Sequence, residues 1–280
     1  MNSIKINRRS ISDALENREF FVAFQPRFGL PRGKAEGEAA MLQWRSQKTG
    51  GMVSPGVFHA VAGECGLANR LLEFCLAEAG RHRRQDAREG REALPVSVRL
   101  QDAILARKGD FAAALPAVAR ARDGLPLEIV VGDRRALWEP PRVFAGRLEA
   151  LRGTGAEICL CLSNPDIEWL AGHGGLLPIQ AVKLDYRVLR GGRSSIRYAV
   201  YIRDLVALAR HFGWKIVADG VHTELDVSTA LLAGCDLGQG LFLDRKNSGV
   251  GPRLQSQPTL FSLLFLGILP CLPAPVAFAA

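Results

Sequence analysis

Short runs rich in Val, Ile, Leu and Phe recur along the chain, separated by longer stretches whose apolar residues repeat every three or four positions. Eight runs read as strands: FFVAFQPRFGL from Phe20, EGEAAMLQW from Glu36, LPVSVRL from Leu94, LEIVV from Leu127, EICLCL from Glu157, AVKLDY from Ala181, KIVADG from Lys215 and GQGLFL from Gly238. Several are apolar at nearly every position, which suits strands covered on both faces of a parallel sheet. Between them, GLANRLLEFCLAEAGRHRR from Gly66, the stretch over residues 138–151 and SIRYAVYIRDLVALARHF from Ser195 carry helical spacing. Alternating strands and helices define the α/β class. Eight strands predict a TIM-like (β/α)8 barrel as a single domain, spanning residues 20–246 after an N-terminal extension over 1–19.

The last segment differs in kind. Residues 254–280 carry no charge, and Pro270, Pro273 and Pro275 interrupt an otherwise apolar run, leaving only residues 260–269 as an unbroken helical stretch. The tail over 247–280 is read as amphiphilic or disordered ahead of a membrane anchor, so membrane contact stays open. The N-terminus has basic residues without an apolar stretch behind them, which does not read as a secretory signal.

Composition adds less. Hydrophobic residues make up 48% of the 280, enough for a sizeable core, and the net charge of +8 favours acidic partners without choosing among them. Six cysteines include no C-x-x-C pair and read as free thiols in a reducing compartment, which suits a cytoplasmic protein. The densest basic run, RHRRQDAREGR from Arg81, reads as a solvated helix end, with an acidic partner surface as the alternative. No helix-turn-helix, zinc finger or aromatic-basic ribbon accompanies it, so direct DNA binding is not expected.

In such a barrel the chemistry gathers at the C-terminal ends of the strands. Those ends give Gln25, Ala39, Arg99, Val131, Cys161 with Leu162, Lys183 with Asp185, Asp219 with His222, and Gln239. A Mg²⁺ or Mn²⁺ ion requires several hard oxygen ligands. Ala39, Val131 and Leu162 offer none, and no metal site or other cofactor is expected.

The order of motifs resembles the EAL domain family, barrels that hydrolyse cyclic di-GMP with divalent metals. The likeness rests on F-Q-P at Phe24 to Pro26, G-E-A-A-M-L-Q-W from Gly37 to Trp44 and VSPGVFHAVAGECGL from Val53. It continues through VKLDYRV from Val182, VADGVHT from Val217 and GCDLGQGLF from Gly234. Each motif is weak alone; six in one order are strong together. The resemblance implies that the glutamate naming the family aligns with Ala39, with Glu38 beside it on the opposite strand face. It further implies that Arg99 replaces an asparagine, Val131 a glutamate, Cys161 and Leu162 two acids, and Asp219 and His222 two glutamates. Lys183, Asp185 and Gln239 match the family pattern.

Arg99 is the sharpest departure. A divalent cation about 4 Å from a guanidinium feels roughly 8 kcal/mol of repulsion at an effective dielectric of about 20. Arg99 is expected either to pair with Asp219 or Asp185 where a metal would stand, or to reach solvent.

The reading is that the chain is not an enzyme. It resembles a degenerate EAL domain, a class that includes regulators of motility and repressors of virulence-related genes of the BvgR type. It is expected to act through contacts with an unidentified regulatory protein partner. The alternative is a receptor that binds cyclic di-GMP without hydrolysis through Gln25, Lys183, Asp185 and Gln239. This is the weaker expectation, because Gln43 stands where the family pattern has a phosphate-contacting arginine.

Overall fold

Strand β1 (Phe20–Gly29) turns within residues 30–34 into β2 (Ala35–Arg45), and the two form a long antiparallel hairpin with Phe20 opposite Trp44 and Gln25 opposite Ala39. So short a link permits no other arrangement, since a parallel pair needs a crossover of a dozen or more residues. The expectation of a parallel sheet is therefore corrected at β1. From β2 onward, β4 (Val96–Arg99), β5 (Leu127–Gly132), β6 (Glu157–Leu162), β7 (Ala181–Leu184), β8 (Lys215–Asp219) and β9 (Leu237–Gln239) pair in parallel, each with the next. Strand β9 closes antiparallel on β1, giving an eight-stranded barrel, and a short β3 (Met52–Val53) extends β2 at its far end. The computed structural model describes residues 6–122, 126–132, 139–162, 166–185 and 196–247. Most of the apolar tail lies outside them. Among the described residues, no helix is long and apolar enough to cross a membrane.

Ten α-helices surround the described barrel: α1 (Arg8–Glu16), α2 (Pro55–Glu64), α3 (Ala68–Arg88), α4 (Asp102–Ala106), α5 (Lys108–Arg122), α6 (Pro141–Arg152), α7 (Ile167–His173), α8 (Ile196–His211), α9 (Glu224–Leu232) and α10 (Leu241–Asn247). Local chemistry fixes several starts. Pro55 and Pro141 open their helices where a missing N–H costs nothing, and Thr223 and Asp226 cap α9 reciprocally. In the N-terminal extension, Asn7 and Ser10 cap α1, which buries Ile11 and Ala14 with Phe20, Trp44 and Phe58.

Strand alternation divides the core into two layers. Val98, Ile129, Val131, Leu160, Leu162, Val182 and Ile216 lie in one cluster with helical residues such as Phe111, Phe144 and Leu205. Val130, Cys159, Cys161, Ala181, Val217 and Leu237 form a separate cluster inside the barrel. The run GQGLFL, read as one strand, is split at Gly240. Its φ of 153° is open to glycine, and a Cβ there would sit 2.3 Å from the Val221 carbonyl oxygen. The chain leaves β9 at Gln239 and enters α10 with Leu241.

Candidate functional site

Polar side chains inside the barrel are arranged in tiers. In the lowest, Arg27 Nη1 donates to Glu128 Oε1 at 2.6 Å, and both side chains are buried. Gly37 faces them from β2: a Cβ there would lie 2.8 Å from Arg27 Nη2, so the glycine makes room for the guanidinium. At the β1–β9 closure, Gln239 Nε2 donates to Gln25 Oε1 at 2.9 Å, and Gln25 Nε2 donates to Asp244 Oδ2 at 2.6 Å. Burial raises the Asp244 carboxyl, and the bond from Gln25 opposes that rise.

Nearer the mouth, Lys183 Nζ lies 3.3 Å from Asp219 Oδ2, the lysine buried and the acid half-buried. Arg99 reaches the exposed rim, and its electrostatic neighbours are Cys161, Asp102 and Asp219. Burial pushes the Cys161 thiol up, against the downward pull of Arg99 and Lys183. On the adjoining helix α2, burial and the charge of Arg99 lower His59 to about 4, with a hydrogen bond to Gln101 opposing them, so the imidazole is neutral at pH 7.

The strand-end residues are thus only partly gathered. Gln25, Ala39, Arg99, Cys161, Lys183, Asp219 and Gln239 line the interior or its rim. Arg99 does not form the expected ion pair: within 4 Å the partner of Asp219 is Lys183. Val131 and Leu162 were read as rim positions, and that is corrected. Both are fully buried in the helix-facing layer, while Val130 and Cys161 face the interior, one residue out of phase. His222 is exposed before α9, where its backbone N–H donates to Asp226 Oδ2. Asp185 follows β7 half-buried, its N–H donating to the Leu162 carbonyl. His59, Asp102, Asp244 and the Arg27–Glu128 pair were missed. The available signals were a histidine directly after Phe58 and, beyond Leu100 and Gln101 at the end of the β4 run, an acid at Asp102.

Glu38 does point away from the interior. His82 Nε2 lies 2.9 Å from its Oε2, and Arg83 Nη2 contacts the same oxygen. Arg83 Nη1 lies 2.9 Å from Asp86, which Arg91 also contacts. The solvated-helix-end reading holds for Arg81, Arg84 and Arg88, which are exposed, and is corrected at Arg83 and Asp86, which are 5% and 4% exposed. Glu38, His82 and Asp86 bring metal-ligating atoms within 4.8 Å of one another, but the guanidiniums of Arg83 and Arg91 already occupy the carboxylates.

The donor set at the mouth does not fit a divalent cation. Ala39 supplies no oxygen, Asp219 is held by a lysine, and Arg99 brings a second fixed positive charge. The same set fits an anion: two cations, one of them exposed, stand beside a chain of side-chain amides.

Fold and mouth together define an α/β barrel with an electrostatic site at the C-terminal ends of its strands. The chain belongs to the EAL domain family, whose pattern matches residues 8–246. Among curated relatives, the bifunctional diguanylate cyclase/cyclic di-GMP phosphodiesterase MucR of Pseudomonas aeruginosa is 27% identical over 84% of this chain and 34% of its own length. The cyclic di-GMP phosphodiesterase NbdA of the same organism is 26% identical over 84% of this chain and 30% of its own length. The probable cyclic di-GMP phosphodiesterase PdeB of Escherichia coli is 24% identical over 86% and 45%. This chain therefore spans less than half the length of these relatives. A structure of the MucR phosphodiesterase in complex with cyclic di-GMP matches with a TM-score of 0.72 at 27% identity, covering 84% of this chain and 94% of that one. The FimX EAL domain from Pseudomonas aeruginosa bound to cyclic di-GMP shares the fold, with a TM-score of 0.70 at 18% identity over 89% and 98%. MucR, NbdA and PdeB, all named for phosphodiesterase activity, overturn the expectation that the chain is not an enzyme.

Proposed function

We propose that this chain works in cyclic di-GMP signalling and takes the nucleotide at the barrel mouth, where Lys183 and Arg99 meet its phosphates. The observation that carries this is the pairing of a buried and an exposed cation at one opening, beside the Gln25–Gln239 amides. Charge-assisted bonds from guanidinium and ammonium to phosphate are among the stronger ones available. Relatives named for cyclic di-GMP, and a solved relative in complex with it, point to the same ligand. Arg99, and Lys183 as it is shared between Asp219 and the ligand, supply the positive charge, so binding is expected without Mg²⁺. The test is calorimetric titration with cyclic di-GMP, with and without Mg²⁺. The expected result is equal affinity in both; no saturable heat in either sinks the reading. Chromatography of the same samples for linear product shows whether the chain shares the activity for which its relatives are named.

A second reading, control of virulence- or motility-related gene expression through protein contacts, draws on the exposed arginines along α3 and α5. Transcripts compared in a bacterial host with and without the chain test it, and an unchanged set rejects it.

A further inference from the structure

Helices α3 and α5 pack along each other and leave between their outer surfaces a cleft of about 710 Å³. Ala77, Gly80 and Ala87 line it from α3, and Ala117 and Ala121 from α5. Side chains this small let another backbone come close. The α3 lining runs from Glu73 to Ala87, which at 1.5 Å per residue is roughly 21 Å, or about four helical turns. That length suits a helix better than a compact small molecule.

Charge decides what kind of helix. Arg84 lines the cleft from α3 and Arg120 from α5; both are exposed, and neither makes an ion pair among the described residues. Arg81, also lining it, is engaged by Glu78. The one acid in the lining, Glu73, lies at one end. Two uncompensated guanidiniums, one on each wall over an alanine floor, complement a helix with a small apolar face and carboxylates flanking it. A flat anionic membrane would leave the floor unfilled, and so would a phosphate backbone.

We infer that the α3–α5 cleft is a docking site for an acidic amphipathic helix of a partner protein. This rests on the protein-contact reading above and adds the place and chemistry of the contact. The probe is a fluorescent helical peptide of about 16 residues with Ala and Leu on one face and Glu on the other, compared with a Lys-for-Glu version. Fluorescence anisotropy on the full chain is expected to show saturable binding of the acidic peptide alone. Arg84→Glu with Arg120→Glu should weaken it by about tenfold or more. Gly80→Leu should abolish it with no change of charge, because a side chain there meets only the flexible end of Arg84 and then fills the cleft. Arg142→Glu with Arg152→Glu on α6 should change nothing, and thermal melts confirm that each variant folds. Absence of saturable binding overturns the inference. So does retained binding in Gly80→Leu, or equal binding of phosphatidylserine vesicles or duplex DNA that the same changes remove. Peptide binding with unchanged transcripts would remove the regulatory role and leave the surface; the converse would remove the surface alone.

Discussion

Arg83 and Arg99 lie on consecutive elements, α3 and the strand β4 that follows it, and they meet opposite surroundings. Arg83 keeps 5% of its surface exposed and is enclosed by Glu38 and Asp86, with His82 and Arg91 completing a network on the barrel's flank. Arg99 stands at an open rim, near Asp102, Asp219 and Cys161 but with no ion pair within 4 Å among the described residues. In the flank network, acids and bases are consumed by each other in a packed setting. At the mouth, positive charge remains reachable from solvent. The same residue type therefore serves the fold in one place and a ligand in the other.

The largest expected effect breaks the flank. Arg83→Ala takes the buried guanidinium from Glu38 and Asp86, leaving them only His82 and Arg91, and should cost up to about 3–5 kcal/mol in chemical denaturation. A cost similar to that of an exposed arginine would show that the network is not closed. The barrel floor sharpens the same contrast: Arg27→Met strands Glu128, while Arg27→Met with Glu128→Leu should recover most of the loss. Strictly additive changes would mean that the pair is not coupled.

The mouth should respond to pH rather than to deletion. His59 is held at about 4 against an ordinary value of 6.5, so the unfolded chain binds its proton more readily than the folded one. Its penalty is absent above about pH 6.5, grows as pH falls, and levels off below about 4. His59→Gln should flatten stability against pH in that window. Arg99→Ala should move the His59 titration, followed by its NMR shift, back upward; an unmoved titration would separate the two residues. The smallest effect is Arg99→Ala on stability itself, expected below about 1 kcal/mol, as for other exposed charges.

The barrel was legible because buried strands are nearly continuous in Val, Ile and Leu, as EICLCL and KIVADG are. Direction was less so, since apolar periodicity is the same read either way, although a link of only five residues before Ala35 already required a hairpin. Motif order gave Lys183, Asp219, Gln25 and Gln239 their places at the site. Phase did not survive at Val131 and Leu162, because Ile129 to Val131 and Ile158 to Leu162 are apolar at every position and a one-residue shift along such a run leaves the sequence pattern unchanged. The flank network was hidden for a different reason. Arg83 and Asp86 sit in a run of charges at a helix end, and only the position of Glu38 on the outer face of β2 shows that they are enclosed.

The most direct test of the account is titration of cyclic di-GMP, without divalent metal, into the wild-type chain and into Lys183→Gln, with thermal melts to verify folding. The account expects saturable binding to the wild type and a loss of about tenfold or more in the variant, the usual scale for removing one charge-assisted phosphate contact. Wild-type affinity in Lys183→Gln, or no binding by either protein, would contradict it.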